Sequence, residues 1–194
     1  NNNEDFIAVG DFVFVLCDGV GGMAKGEMAS RFVANSIIQK MRKVNKSSVT
    51  IDLVQEIIIE IQDELNNSLT DNPENYGMGT TLCAAFISDQ EILLAHIGDS
   101  RIYVVNPLER KYWRSTYHST VAELVQSGII NDEEAKTHSR RNQITRAIQA
   151  IPEVEVSLAD ISVLTKVEPG DLIFMCSDGV MEAFSDSELI DILC

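Results

Sequence analysis

Two segments near opposite ends of the chain repeat one pattern. Phe14-Val15-Leu16-Cys17-Asp18-Gly19-Val20 is echoed by Phe174-Met175-Cys176-Ser177-Asp178-Gly179-Val180. In each, a short and nearly continuous apolar run stops at an aspartate followed by glycine. Over residues 12–17 the run is unbroken, which reads as a strand buried on both faces and not as a helix. A third run, Leu93-Leu94-Ala95-His96-Ile97, leads into Gly98-Asp99-Ser100. The fold must therefore accommodate several buried strands that carry carboxylates at their ends.

The intervening sequence supplies helices and more strands. Met28, Phe32, Val33, Ile37 and Met41 recur at three- and four-residue steps after the glycine-rich turn at 19–22, the spacing of one helix face. Thr50 is placed to cap a second helix whose stripe is Leu53, Val54, Ile57, Ile58, Ile61 and Leu65, broken at Asn72-Pro73. Strands are predicted at 80–87, 91–97 and 101–105, with short polar connections that suit an antiparallel meander. A small helix at 119–126 ends at Gly128, and Asn131 with Glu134 has the capping-box spacing that opens another. Strands return at 154–164 and 172–176, and a second capping box, Ser185 with Glu188, leads into an apolar helix. Helices before, between and after meanders predict a layered α+β fold.

With 194 residues and 45% hydrophobic content, the chain reads as a single domain, 1–194. No apolar run approaches the roughly 20 residues of a membrane span, and Asn1-Asn2-Asn3-Glu4-Asp5 lacks the basic start and apolar stretch of a signal peptide. The cysteines Cys17, Cys83, Cys176 and Cys194 show no C-x-x-C spacing, and the first three sit in apolar runs, so a cytoplasmic location is expected. A formal charge of −15 excludes a nucleic-acid binder, which needs an excess of lysine and arginine. Most of that acidity is surface solvation, and a part is available to a cation site.

A carboxylate at the end of a buried strand is held on a rigid support, and the glycine after it lets the backbone turn and expose its carbonyl. Mg2+ and Mn2+ favour such oxygen ligands and keep several waters. Taken singly, an Asp-Gly reads better as a hairpin turn than as a cation site; three similar strand ends shift the balance toward the cation site. Gly19-Val20-Gly21-Gly22 lacks the spacing and the lysine of a nucleotide loop. No Cys-x5-Arg signature occurs, and none of the three histidines is paired with a serine or cysteine, so no covalent nucleophile is indicated. His118 and His138 read as structural. Lys136, Arg140, Arg141 and Arg146 form a basic stretch free of acidic residues, which reads either as an attractor of an acidic or phosphorylated segment or as a solvated face paired with the acidic body.

Five motifs occur in order: Asn3-Glu4-Asp5, Asp18-Gly19-Val20-Gly21-Gly22, Gly79-Thr80-Thr81, Gly98-Asp99-Ser100-Arg101 and Cys176-Ser177-Asp178-Gly179. Together they resemble the metal-dependent PPM phosphatases, often called the PP2C family, over most of the chain. The segment 128–147, with Asp132 to His138 and then Arg140-Arg141-Asn142, is similar to the flap of the compact bacterial members, placing a flap at about 128–150. The resemblance implies a four-layer αββα sandwich, two antiparallel sheets flanked by helices, with a two-metal centre where the sheets open. It implies hydrolysis of phosphoserine and phosphothreonine in proteins by a hydroxide bridging two Mn2+ or Mg2+ ions. Asp18 would bridge both ions, Glu4 and the Gly19 carbonyl would serve one, Asp178 the other, and Asp5 would hold coordinated waters. Asp99, with Asp178, matches the residues of a third, weaker metal site. Thr80 and Thr81 are expected to be structural residues at the start of a core strand. Implied partners are phosphorylated proteins and a cognate serine/threonine kinase.

The chain also departs from the family. An arginine shortly before Glu-Asp, which binds substrate phosphate, and a late Asp-Asn pair, which completes one metal site, do not occur in these 194 residues, so the family's first and last segments are expected to be missing. The histidine of many eukaryotic members is replaced by Val20, and the bacterial Asp-His-Ser reads Tyr117-His118-Ser119. Two alternative expectations follow: a catalytically impaired pseudophosphatase serving as a protein-binding module, and a metal phosphodiesterase of small molecules.

Overall fold

A computed structural model describes residues 3–20, 25–141 and 143–194. In chain order these form β1 (Phe6–Val9), β2 (Val13–Cys17), β3 (Gly19–Val20), α1 (Gly26–Met41), α2 (Ile51–Asn67), β4 (Gly79–Thr80), β5 (Leu82–Ile87), β6 (Ile92–Ile97), β7 (Arg101–Asn106), β8 (Lys111–Arg114), α3 (Thr120–Gln126), α4 (Asp132–Thr137), β9 (Ile148–Gln149), β10 (Asp160–Leu164), β11 (Leu172–Cys176), α5 (Asp178–Ala183) and α6 (Asp186–Leu193). Of the glycine-rich turn read at 19–22, Gly21 and Gly22 lie outside the described residues, as does Asn142 of the flap motif.

Strand alternation builds the layers. A five-stranded antiparallel sheet runs β1-β2-β5-β6-β10, and a three-stranded one runs β11-β7-β8. Successive side chains of a strand point to opposite faces. On β5, Leu82, Ala84 and Phe86 therefore join α1 and α2 in the largest core, while Cys83 and Ala85 face the second sheet. On β7, Ile102 meets the first sheet, whereas Tyr103 and Val105 turn toward Leu189 and Ile190 of α6. The result is helix, sheet, sheet, helix. A short third sheet, β3-β4-β9, caps the strand ends.

Three helix caps match the sequence reading. Thr50 accepts a hydrogen bond from Leu53 N (3.2 Å), and complete capping boxes form at Asn131/Glu134 and Ser185/Glu188. The α1 stripe is rotated from the expected one. Ala29, Val33, Ala34, Ile37, Ile38 and Met41 are buried, while Met28 is 47% exposed and Phe32 only partly covered. The alanines let α1 lie close on β1 and β2, and that proximity selects the face. Three strands also differ. β2 is not buried throughout, since Phe14 is partly exposed. The strand read at 80–87 breaks at Thr81, where β4 leaves for the small sheet. The strand read at 154–164 is confined to Asp160–Leu164, because Ser157 N and Ala159 N are satisfied by Gln62 and Gln55 of α2 instead of by a neighbouring strand.

Candidate metal centre

Register brings the acidic residues to one end of both sheets. In the β1-β2 ladder Phe6 pairs with Cys17, so Asp5 and Asp18 follow one another at its end. In the β7-β11 ladder Cys176 pairs with Arg101, which sets Asp99, two residues before Arg101, beside Asp178, two after Cys176. A cleft of about 440 Å3 is lined by Asn3, Glu4, Asp5, Asp18, Gly19, Ser177, Asp178 and Gly179. A second recess of about 790 Å3, between the second sheet and the helices α3 to α5, shares Asp178 and is bordered by Asp99, Arg101 and Arg141. Asp178 is thus common to both, and Asp99 opens onto the second.

Asp18 is gripped by its backbone. Its N–H donates to Thr81 Oγ1 (3.0 Å), while its carbonyl accepts from Thr81 N (2.8 Å) and Thr80 Oγ1 (2.8 Å). Thr81 Oγ1 also meets Ser100 Oγ at 2.8 Å. The two threonines are structural residues, but neither begins a core strand as expected: Thr80 ends β4 and Thr81 lies at the break before β5, where they fix the main chain beneath the central carboxylate. Glu4 is tied in similarly, its carbonyl accepting from Ser30 Oγ of α1 (2.6 Å) and Gly19 N (3.2 Å). Asp5 Oδ2 accepts from Ser177 Oγ (2.9 Å), linking the first strand to the last.

Two close approaches demand glycine. The backbones of Gly19 and Gly26 are in contact, and a Cβ on Gly26 would overlap the Glu4 carboxylate, so this end of α1 reaches the cleft only without side chains. Gly98 has φ +104°, and a Cβ there would come within 2.7 Å of Thr81 Cγ2. The turn that presents Asp99 is therefore built on the same threonine that holds Asp18.

The electrostatics of the bare cleft are unfavourable. Burial, then the neighbouring carboxylates of Asp5, Asp178 and Asp99, push the Asp18 carboxyl up to about 8. Burial and Asp178 likewise raise Asp99. Divalent cations remove this cost, since they turn mutual repulsion into shared attraction. The donor set is all hard oxygen and fits Mn2+ or Mg2+.

Other readings resolve less simply. Of the basic stretch, Arg141 borders the second recess, while Arg146 Nη1 donates to Asp160 Oδ1 (2.8 Å), so one residue faces the site and another is paired with the body. Tyr117, where the bacterial pattern has aspartate, lays its ring 3.9 Å from the buried Arg101 guanidinium. Arg101 in turn donates to Tyr103 Oη (2.6 Å) and pairs with Asp186 at the start of α6. His118 and His96, both buried, stack at 4.6 Å near Asp160. His96 carried no signal in the sequence beyond its place in an apolar run.

Comparison with known proteins places this geometry in context. A family model described as protein phosphatase 2C matches residues 2–193. The protein phosphatase PhpP of Streptococcus pneumoniae is 31% identical over 203 residues, covering 99% of this chain and 78% of that protein. The crystal structure of serine/threonine phosphatase Stp1 from Staphylococcus aureus superposes with a TM-score of 0.84 at 30% identity, over 100% of this chain and 77% of that one. The catalytic domain of the serine/threonine protein phosphatase PstP in complex with two manganese ions superposes with a TM-score of 0.79 at 28% identity, over 98% and 77% of the respective chains.

Proposed function

The chain belongs to the protein phosphatase 2C family and hydrolyses phosphoserine and phosphothreonine in proteins in a metal-dependent reaction; we propose how its residues divide the task. In this reading Asp18 would be shared by two Mn2+ or Mg2+ ions, Glu4 and the Gly19 carbonyl would serve one of them, Asp178 the other, and Asp5 would act through coordinated waters. Asp99 with Asp178 would hold a third, weaker ion. Asp18 and Asp178 are the residues on which turnover depends most. The observation that carries the proposal is the convergence of carboxylates from three separated segments on one cleft, with burial and the neighbouring carboxylates pushing Asp18 up to about 8 when no cation offsets them.

When bound, the paired ions supply hydroxide near neutral pH and stabilise charge on the phosphoryl oxygens. The protein's own contribution is alignment. Thr80 and Thr81 prevent the Asp18 backbone from shifting, and Ser177 fixes the rotamer of Asp5. Five acidic side chains would repel a phosphomonoester dianion if left bare, so the same residues that hold the ions make the reaction wait for them. The second recess, mixed in polarity and continuous with Asp178, is the proposed seat of the peptide flanking the phosphoresidue.

A cognate serine/threonine kinase, whose products such an enzyme reverses, is the implied partner. Three buried free thiols, Cys17, Cys83 and Cys176, support a reducing cytoplasm as the working compartment. Among the described residues no helix is long and apolar enough to cross a membrane. The test is hydrolysis of a phosphothreonine peptide in Mn2+ by the Asp18→Asn variant. Loss of metal-dependent turnover is expected, and undiminished turnover would overturn the assignment.

A further inference from the structure

Behind Asp99 runs a line of polar side chains that the cleft does not use. His118, 5% exposed, bonds both backbone groups of Gly98: its ring Nδ1 accepts from Gly98 N (3.0 Å), and its main-chain N–H donates to Gly98 O (2.9 Å). Gly98 is the residue with φ +104° that immediately precedes Asp99. On the other side of the ring, Nε2 lies 3.0 Å from Asp160 Oδ2, and Arg146 holds the second oxygen of that carboxylate. His118 O accepts from Thr145 N (2.8 Å), Ser119 bridges Ile144, and Thr120 N donates to Gln143 O (2.9 Å). One residue therefore joins the Asp99 turn, the base of the excursion containing α3 and α4, and β10.

The donor at Gly98 settles the tautomer. Nδ1 must present its lone pair to an amide N–H, so the ring proton sits on Nε2 and is given to Asp160. The composition of this cluster would otherwise suit zinc, because donor atoms of His96, His118 and Asp160 lie within 4.8 Å of one another. A protonated Nε2 cannot ligate. The two rings are also only 17° from parallel, so their lone pairs run alongside each other and do not converge, and His96 Nε2 is already donating to Thr116 O (2.6 Å). The cluster is a hydrogen-bond relay.

We propose that His118, oriented by Asp160 and Arg146, is a positioning residue for Asp99: its Nδ1 fixes the Gly98 peptide and so the direction from which the Asp99 carboxylate reaches the weaker metal site. This rests on the reading of Asp99 as a ligand of that site. Asn at position 118 keeps an acceptor near Nδ1, whereas Gln moves its amide toward Nε2 and leaves the Gly98 N–H without one. Three forms of the full chain, unaltered, His118→Asn and His118→Gln, are compared by calorimetric titration with Mn2+ and by hydrogen exchange at the Gly98 amide. His118→Gln is expected to weaken the weaker Mn2+ site about 10- to 100-fold, the usual cost of removing a group that orients a ligand. It should also accelerate Gly98 exchange while the tight sites persist, and His118→Asn should stay close to the unaltered chain. Equal loss in both variants, unchanged binding and exchange in His118→Gln, or stoichiometric Zn2+ bound through His118 would each overturn the proposal. If the unaltered chain bound no Mn2+ at all, the metal centre itself would fall, and the proposal with it.

Discussion

Thr81 shows how much of a metal site rests on a residue that never touches a metal. Its hydroxyl accepts from Asp18 N and meets Ser100, its amide holds Asp18 O, and its methyl group excludes any side chain at Gly98. Thr81→Val keeps the shape and removes the acceptor, leaving the Asp18 N–H and Ser100 Oγ without a partner. The expected outcome is a loss of about 1–3 kcal/mol in stability to urea, together with Mn2+ affinity reduced about 10- to 100-fold. Asp18, Asp99 and Asp178 were legible because each follows an apolar run beside Gly, whereas Glu4 and Asp5 were marked only by the family resemblance. The clamp beneath them was not, since Asp18 and Thr81 are far apart in the chain and a threonine at a strand start is unremarkable. Nor was the relay at His118, whose meaning depends on which atom of the ring faces Gly98.

At the scale of elements, local chemistry was the most readable part. Capping boxes at Asn131 and Ser185 need only a fixed spacing, and both form as spaced. α6 shows what such a cap holds: Leu189 and Ile190 pack on Tyr103, Val105 and Cys176, and Asp186 in its first turn pairs with Arg101 and Arg114. Ser185→Ala should therefore cost about 1 kcal/mol of stability, measured by urea denaturation. Mn2+ affinity should be preserved, because the cap lies outside the cleft. Elements governed by tertiary context were harder. β8 is exposed along its whole length and has no buried face to write a pattern. The Asp-Gly after β11 opens α5 instead of a turn, because Ser177 and Asp178 are drawn toward Asp5 and the cleft. Residues 154–159 look like strand, yet glutamines from α2 take the amides of Ser157 and Ala159, a long-range contact no local window contains.

Over the whole molecule, two packed sheets hold buried ionisable groups whose protonation sets how stability depends on pH. Burial, only partly offset by the Thr116 carbonyl, lowers the His96 pKa. The unfolded chain then binds the proton more readily, so stability present above the ordinary histidine value of about 6.5 is lost as pH falls below it. His96→Gln, which retains a donor for Thr116, should flatten that loss when urea denaturation at pH 7.5 and 5.5 is compared with the unaltered chain. Asp18 has the opposite sign. Its carboxyl is pushed up to about 8, while an unfolded aspartate ionises near about 3.9, so the metal-free protein loses stability as pH rises through that interval. Cations reverse the penalty, which ties the fold's own energetics to catalysis. The most direct measurement is therefore Mn2+ titration of the metal-free protein at pH 7.5 by calorimetry, alongside its Asp18→Asn variant, with thermal unfolding of each. The expected result is two tight sites in the unaltered chain, their loss in Asp18→Asn, and a higher unfolding temperature for the metal-free variant than for the metal-free parent. Tight Mn2+ binding that survives in Asp18→Asn, or no binding in either protein, would contradict a centre built on converging carboxylates.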